Sequence, residues 1–226
     1  CGAKSILITN QRDIKGFCKE LKKHKFTIVT GVNTLFNGLL NNPNFAALDF
    51  SHLKGAVGGG MAVQDVVAKK WEQVTGKPLV EGYGLSETSP VLCCNPLNGT
   101  HKLGTIGLPM PSTVVAIFDD NGNQLPQGES GEICAKGPQV MSGYWQKDNE
   151  GVFYPGGWFK TGDKVQLENE YIHIRGRESE IINVGGEKVY PAEVEAVIQM
   201  MSNVEEVVVI GEANSITGQI VKALIR

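Results

Sequence analysis

The spacing of apolar residues alternates between a helical and an extended period over the first ninety residues. In the stretch 13–24 four apolar residues recur at helical spacing, namely Ile14, Phe17, Cys18 and Leu21. The same patterns predict further helices at 32–40 and 62–75, and strands at 26–30, 53–57 and 79–83. Strands that alternate with helices are typical of a parallel sheet with crossover helices. The first part of the chain therefore predicts an α/β fold.

The pattern changes between Gly104 and Gln166, where glycine and proline are frequent and the apolar runs are short and alternating. Strands are predicted at 114–118 and 131–136, and the sequence DNGN at 120–123 is typical of a hairpin turn. This part predicts a small antiparallel sheet or barrel.

A third pattern begins near Gly176, which is the expected boundary of a second domain. Short strands are predicted at 171–175, 181–184, 188–190, 204–210 and 219–225, and Pro191 is expected to open a helix. The expected architecture has three parts. These are a strand–helix alternating part of a large domain (1–103), a small antiparallel β-rich subdomain (104–175), and the start of a small α+β C-terminal domain (176–226).

Composition excludes several classes of function. The 226 residues are 41% hydrophobic and 20% charged, as in ordinary soluble globular proteins, and the net charge of −3 gives no footprint for nucleic acid. Five cysteines without CxxC spacing fit a reducing cytoplasm, and the four histidines show no metal-binding spacing. No apolar run reaches the roughly 20 residues that span a bilayer. Because the chain starts at Cys1 rather than Met, we expect it to be a piece of a longer protein.

Three glycine-bearing segments, each after a strand signal, are candidates for loops that carry chemistry. In the first, Gly58-Gly59-Gly60-Met61, glycines would let a ligand approach the backbone before a helix N-terminus. In the third, 158–163 (WFKTGD), Asp163 follows a Thr-Gly turn and could accept from ribose hydroxyls, with Arg177 donating to the same sugar. The structural alternatives are a tight strand-to-helix turn, a turn-forming Asp163 and a surface Arg177.

The second segment, Gly82–Thr88 (GYGLSET), is the richest chemically. Tyr83 could stack on a flat ring, Ser86 could hydrogen-bond a phosphate, and Glu87 could hold Mg²⁺ through oxygen. The alternative is a turn with Ser86 as a cap. We favour a ligand site because an aromatic ring, two glycines, a hydroxyl and a carboxylate fall within six residues.

These segments resemble three motifs of the adenylate-forming superfamily, in the family's order. The stretches are 83–90 (YGLSETSP), 157–163 (GWFKTGD), and 176–177 (GR) followed by 185–193 (GGEKVYPAE). The first half is similar more narrowly to bacterial long-chain fatty-acid–CoA ligases. The stretches that carry this likeness are 7–13 (LITNQRD), 30–37 (TGVNTLFN), 58–61 (GGGM), 106–112 (IGLPMPS) and 140–145 (VMSGYW). From about Gln146 onward only the superfamily pattern is evident.

The resemblance implies an ATP and AMP site. Its residues would be Gly59, Gly60, Gly82, Tyr83, Gly84, Ser86, Asp163 and Arg177. Tyr83 would lie against adenine, while Gly59 and Gly60 would pass beside the adenine and the acyl carbonyl. Ser86 would contact the α-phosphate and Glu87 would ligate Mg²⁺, which makes this pair the implied catalytic residues. Asp163 and Arg177 would hold the ribose hydroxyls.

The resemblance also implies sites for the other two substrates. Gly185, Gly186 and Lys188 would border CoA, and the stretch from Val32 to Phe36 would border the acyl pocket. Ser179 stands where the family usually has an Asp or Lys hinge. The implied reaction converts a fatty acid and ATP to acyl-AMP and pyrophosphate, and then forms acyl-CoA and AMP as the C-terminal domain rotates.

The family's triphosphate-binding loop and its C-terminal catalytic lysine are not found in the sequence, so we expect the chain alone not to complete adenylation. Two rival functions stay open. The first is an adenylation domain that passes its acyl or aminoacyl group to a carrier protein, with a luciferase-like oxygenase as a weaker form of the same alternative. The second is a non-catalytic nucleotide-binding module. The expected location is the cytoplasm. Acyl chain length, a homodimer and a peripheral contact with the inner membrane are left open.

Overall fold

The computed structural model describes residues 2–168, 171–201, 203–204 and 207–226. They form two compact units, Cys1–Pro111 and Ser112–Arg226. The α/β architecture expected from the sequence is confirmed, with several sheets and five α-helices in the described part of the chain. The finer division at 103 and 175 stays a prediction.

The first unit contains a five-stranded sheet in the order β1-β2-β3-β4-β5. Its strands are β1 (Ile28–Gly31), β2 (Gly55–Gly58), β3 (Leu79–Gly84), β4 (Val91–Cys94) and β5 (Leu108–Pro109). The first three are parallel, as the alternation of strands and helices predicts, whereas β4 and β5 add to β3 in antiparallel fashion. The connecting helices are α1 (Ile14–Lys23), α2 (Asn33–Leu40), α3 (Pro43–Ala46) and α4 (Asp65–Thr75).

Local capping explains where two of these helices begin and end. The Asp13 side chain accepts a hydrogen bond of 2.9 Å from the Gly16 N–H and so caps the start of α1. Helix α4 ends at Gly76, which takes the left-handed conformation (φ +67°) that favours glycine. The predicted helix at 62–75 therefore starts three residues too early, because 62–64 belong to the loop that follows β2.

The core of the first unit is centred on Trp71 of α4. Its ring lies 5.1 Å from that of Phe36 at 82°, and 5.2 Å from that of Phe45, and none of the three has exposed surface. Edge-to-face and tilted ring pairs of this kind add to the free energy gained by burying the rings. Helices α2, α3 and α4 are thereby held together against the sheet.

The second unit contains two antiparallel sheets. The first has the order β10-β9-β7-β6, with β8 paired to β9, and the second has the order β12-β11-β14-β13. The strands are β6 (Val114–Phe118), β7 (Ser130–Lys136), β8 (Phe153–Tyr154), β9 (Trp158–Glu168), β10 (Tyr171–Arg177), β11 (Ile182–Val184), β12 (Glu187–Val189), β13 (Val207–Asn214) and β14 (Gly218–Ile225). Helix α5 (Pro191–Ile198) begins at Pro191, as expected.

Two expectations for this unit need comment. The turn assigned to Thr161-Gly162 is wrong, since the whole stretch from Trp158 to Asp163 lies inside strand β9. The pairing register of β9 with β7 shifts there and Gly162 has φ +76°, so a bulge absorbs the glycine without ending the strand. The strand predicted at 204–210 is described only from Val207 onward, and 205–206 lie outside the described residues. No helix within the described ranges is long and apolar enough to cross a membrane.

Replacing Trp71 with alanine should lower the free energy of unfolding of the first unit by about 3–5 kcal/mol, because the cavity would remove contacts with both Phe36 and Phe45. The matched control is Val66→Ala on the same helix, where the side chain is 66% exposed, and the expected change is within about 0.5 kcal/mol. Urea unfolding followed by tryptophan-independent circular dichroism measures both. Equal losses would contradict this account of the core.

Candidate functional site

Two of the three glycine segments lie side by side in the first unit. Strands β2 and β3 are parallel neighbours, and Gly58 is in register with Glu81. The loops that follow both strands therefore leave the sheet at the same edge, where ligands of open parallel sheets bind. The approach is close: a Cβ atom on Gly59 would lie 3.2 Å from the carbonyl oxygen of Gly82. The structure thus brings Gly59 and Gly82 together, two residues that the sequence assigns to the expected nucleotide site.

The glycine loop is shaped by contacts that exclude side chains. A Cβ atom on Gly58 would lie 2.2 Å from Cγ2 of Val63, and Gly60 has φ +79°. A Cβ atom on Gly60 would face Cγ1 of Val32 at 3.7 Å. Val32 is half-buried, whereas Phe36 has no exposed surface and packs on Trp71. Of the two residues expected to border the acyl group, Val32 therefore offers surface to a ligand.

The Tyr83–Thr88 segment ends strand β3 and forms a single-turn 3-10 helix at Ser86–Thr88. Thr88 is fully buried and closes the turn: its hydroxyl accepts from the Leu85 N–H at 3.0 Å and lies 2.5 Å from the Pro90 carbonyl oxygen. Ser86 is exposed and Glu87 is half-buried. The sequence identifies Ser86 and Glu87 as candidate ligand-binding residues, but it does not reveal that the Thr88 side chain fixes the backbone of this turn.

The candidate site can hold Mg²⁺ only together with oxygen atoms from a bound substrate. In the part of the chain that the structure describes, no three His, Cys, Asp or Glu side chains are grouped so that they could hold a metal. Mg²⁺ is commonly bound through one or two carboxylates together with substrate phosphates. A single carboxylate at Glu87 meets that requirement when the phosphates of a nucleotide supply the other oxygens.

The third segment forms a pair in the second unit. Asp163 on β9 is in register with Arg177 on β10, and Arg177 Nε lies 3.3 Å from Asp163 Oδ1. Asp163 is buried, while the Arg177 side chain is 59% exposed. Arg177 also lines an open cleft of about 370 Å³ that is bordered by Thr161, Gly162, Glu178 and Ser179. The structure therefore joins Asp163 to Arg177, and joins Arg177 to the expected hinge.

Buried Glu132 supports this segment and was missed in the sequence. Its Oε1 accepts from the Gly162 N–H at 2.9 Å, and the Tyr154 hydroxyl donates to its Oε2 at 3.4 Å. Thr161 adds a second fixed point, since its hydroxyl donates to the Ile133 carbonyl at 2.8 Å and accepts from the Asp163 N–H at 3.1 Å. A lone glutamate in a strand carries no sequence signal of such a role, because its partners lie about thirty residues away.

Charged side chains link the strands before Ser179 to the segment after it. Lys164 on β9 is buried and its Nζ lies 2.6 Å from Asp120 Oδ1 and 3.4 Å from Glu178 Oε1. Although burial lowers the pKa of Lys164, the hydrogen bond with Asp120 and the nearby charge of Glu178 outweigh it and raise that pKa. Asp120 Oδ2 also lies 3.8 Å from Lys188 Nζ on β12. Ser179 itself is exposed, in a single-turn 3-10 helix at Glu178–Glu180.

Gly185 and Gly186 form the tip of the hairpin between β11 and β12. Both have positive φ (+62° and +98°), and the hairpin is fixed by the Gly185 N–H, which donates to the Thr217 carbonyl at 2.8 Å. The Gly186 N–H donates to Asn183 Oδ1 at 3.0 Å. A Cβ atom on Gly186 would meet nothing within 4 Å. This tip is open, as a backbone that a ligand must pass requires.

Burial also affects two cysteines in the cores of the two units. Burial raises the pKa of Cys93 to about 12 and that of Cys134 to about 12, so neither forms a thiolate near neutral pH.

Comparison with known proteins identifies the family to which these features belong. The model of the AMP-binding enzyme family matches residues 1–145, and that of the AMP-binding enzyme C-terminal domain matches residues 178–224. The chain therefore belongs to the AMP-binding enzyme family.

More particular likenesses come from relatives and solved structures. The long-chain-fatty-acid–CoA ligase of Yersinia pestis is 49% identical over 99% of this chain and 40% of that protein. That of Bacillus subtilis is 42% identical over 92% of this chain and 38% of that protein. The chain thus spans about 40% of the length of these curated relatives. The resemblance to long-chain ligases found in the motifs is confirmed.

Among solved structures, the anthranilate CoA ligase AuaEII in complex with anthranoyl-AMP has a TM-score of 0.88 and 26% identity, covering 99% of this chain and 44% of that one. ATP-bound MatB from Rhodopseudomonas palustris has a TM-score of 0.85 and 30% identity, covering 94% and 42%.

Adding one methyl group at Gly84 should disrupt the turn that carries Ser86 and Glu87. A Cβ atom there would lie 1.8 Å from the Pro90 carbonyl oxygen, so the backbone must shift, and Gly84→Ala should lower the free energy of unfolding by about 1–3 kcal/mol. Gly99→Ala is the control, because its Cβ atom would lie 3.5 Å from Pro96, an ordinary contact. Chemical denaturation compares the two; an unchanged stability in Gly84→Ala would mean that the turn is not packed as described.

Proposed function

We propose that this chain is part of an enzyme that activates a long-chain fatty acid as its acyl adenylate and transfers the acyl group to CoA. The observation that carries the proposal is the close approach of Gly59 to the Gly82 carbonyl where β2 and β3 end at one edge of a parallel sheet. The relatives named long-chain-fatty-acid–CoA ligase support the choice of acid, and the ATP-bound and acyl-AMP-bound structures support the choice of nucleotide.

In the first half-reaction the first unit would hold the reacting groups. Gly59, Gly60, Gly82 and Gly84 would present backbone to the nucleotide and acyl carbonyl, and Tyr83 would lie against the adenine. Ser86 would donate its hydroxyl to the α-phosphate. Glu87 would hold Mg²⁺, which when bound supplies positive charge that stabilises the pentacovalent transition state.

The bonds exchanged in this step follow from the substrates. A carboxylate oxygen of the fatty acid attacks the α-phosphorus of ATP, a P–O bond forms to give acyl-AMP, and pyrophosphate leaves with the electrons of the bond that breaks. Fixed donors such as Ser86 accelerate such a step when they bind the transition state more tightly than the ground state.

Asp163 and Arg177 would hold the ribose hydroxyls. A carboxylate accepts from vicinal hydroxyl groups, and the guanidinium 3.3 Å away orients the Asp163 side chain. Arg177 is exposed and lies two residues before the expected hinge at Ser179. Movement of the C-terminal segment would therefore change the contact between Arg177 and the ribose.

In the second half-reaction the thiol of CoA attacks the acyl carbonyl, a thioester forms and AMP leaves. The open hairpin at Gly185 and Gly186 would lie beside the pantetheine arm, with Lys188 contributing positive charge toward CoA. Rotation of the C-terminal domain at Ser179 would replace the arrangement needed for adenylation with the one needed for thioester formation.

The test is carboxylate-dependent ATP–pyrophosphate exchange by the full-length protein, with short, medium and long fatty acids and several amino acids. We expect exchange with long-chain acids and acyl-CoA formation once CoA is added. Exchange with amino acids only, and transfer to a carrier-protein thiol, would identify an adenylation domain instead. The absence of exchange with every acid would leave a nucleotide-binding module and would reject the proposal.

Replacing Gly186 with leucine in the full-length protein should slow thioester formation about tenfold or more while leaving pyrophosphate exchange within about twofold, since only the second step needs the open tip. Gly186→Ala is the matched control, because alanine suffers the same backbone strain at φ +98° but adds only one methyl group. Equal loss of both half-reactions in the leucine variant would contradict the assignment of this hairpin to CoA.

A further inference from the structure

The loop that follows β2 is fixed at its two ends by different parts of the first unit. At its start, the Gly59 N–H donates to the Gly31 carbonyl of β1 at 3.0 Å. At its end, the Val63 N–H donates to Glu81 Oε2 at 3.2 Å and the Gln64 N–H donates to Asn33 Oδ1 at 3.0 Å. Gly60 lies between these points and Gly59 is one of them, so the path of this backbone depends on the side chains that hold the loop's end.

Glu81 is placed so that one residue touches both the start and the end of this loop. Its backbone is in register with Gly58, where the loop begins, and its carboxylate reaches Val63, where the loop joins α4. It also precedes Gly82 directly. The Glu81 side chain therefore contacts the end of one glycine segment, while its backbone leads directly into the other.

The surroundings of Glu81 do not favour a charge. Its side chain lines a cavity of about 10 Å³, the size of a single water molecule, together with Val63, Asn95 and Thr105. The titratable and charged groups around it are Asp65 at the start of α4, Cys94 on β4, and His101 and Lys102 in the segment between β4 and β5. Burial, together with a smaller contribution from the charge of Asp65, raises the pKa of Glu81 to about 7 against the opposing hydrogen bond from Val63.

A raised pKa means that ionised Glu81 opposes folding. The stability that the neutral acid contributes is fully present below pH 4.5 and is lost as the pH rises through about 7. A glutamine of the same shape could accept from the Val63 N–H without this penalty. Residues that lower stability in this manner are expected mainly where function needs them.

We propose that Glu81 is a positioning residue whose carboxylate holds the end of the 58–64 loop at the Val63 N–H and thereby sets the Gly59–Gly60 backbone for the nucleotide and acyl group. The inference rests on the proposed function of this edge of the sheet. An ionised acceptor makes a shorter and stronger hydrogen bond to a backbone N–H than a neutral one, so the negative charge holds the loop more firmly than an amide can. The negative charge of Glu81 thus lowers the free energy of unfolding but strengthens the hydrogen bond that holds the loop at Val63.

The decisive variant is Glu81→Gln in the full-length protein, which keeps shape and an acceptor but removes the charge. We expect the KM for ATP in pyrophosphate exchange at pH 8 to rise about five- to tenfold, and Glu81→Ala to raise it further. In the unmodified protein the KM for ATP should rise as the pH falls through about 7, whereas in Glu81→Gln it should not change there. Glu72→Gln, the same change at an exposed position on α4, is the matched control.

Thermal unfolding separates positioning from a merely structural role. Glu81→Gln should be more stable than the unmodified protein at pH 8, and this gain should vanish toward pH 4.5. A structural role would instead lower stability and nucleotide affinity together, and that result would overturn the proposal. Histidine side chains ordinarily change charge near the same pH, so His101→Gln must retain the inflection in KM.

Hydrogen exchange at the Val63 amide gives a readout that does not depend on catalysis. Protection of this amide should be high at pH 8, lower in Glu81→Gln and lost in Glu81→Ala, while protection of the Gln64 amide, held by Asn33, should change less. If the unmodified full-length protein exchanges no pyrophosphate, the proposed function fails. If it does exchange pyrophosphate and Glu81→Gln matches it at every pH, the role of Glu81 fails.

Discussion

The close approach of backbones at the ends of β2 and β3 is the constraint on which the first unit depends. Gly58 has no room for a side chain beside Val63, and Gly84 has none beside the Pro90 carbonyl. Both positions therefore contribute only backbone atoms to the packing. That packing, closed by the buried Thr88 hydroxyl, determines where Ser86 and Glu87 stand. The groups expected to perform chemistry are therefore placed by residues that perform none, as is usual where a rigid scaffold must hold a reactive group accurately.

Buried charge marks the same regions in both units. Glu81 lies partly buried between the two glycine segments, and Glu132, Asp163 and Lys164 are buried beside the third. Each has a specific partner: a backbone N–H for Glu81 and Glu132, and an opposite charge for Asp163 and Lys164. Burying charge is unfavourable unless it is paired, so its concentration around the motifs distinguishes these regions from the apolar cores.

Periodicity predicted most helices and strands to within about three residues, because α1, α2 and α4 bury one face against a sheet and leave the other in water. It failed where order depends on partners distant in sequence. Strand β5 is two residues long and exists only through its pairing with β4, and β9 continues past Gly162 because Glu132 and β7 hold the bulge. The motif residues were visible in the sequence, whereas the structural roles of Glu81, Thr88 and Glu132 were not, since those roles lie in hydrogen bonds rather than in residue type.

The charged contacts on either side of Ser179 share one property. Asp120–Lys188 and Arg175–Glu193 join a turn and a strand that precede Ser179 to elements that follow it, and all four side chains are at least 39% exposed. Exposed ion pairs contribute little free energy and are weakened by salt. These contacts are therefore specific in geometry but weak in free energy, and the ionic strength of the surrounding solution sets how much each of them contributes.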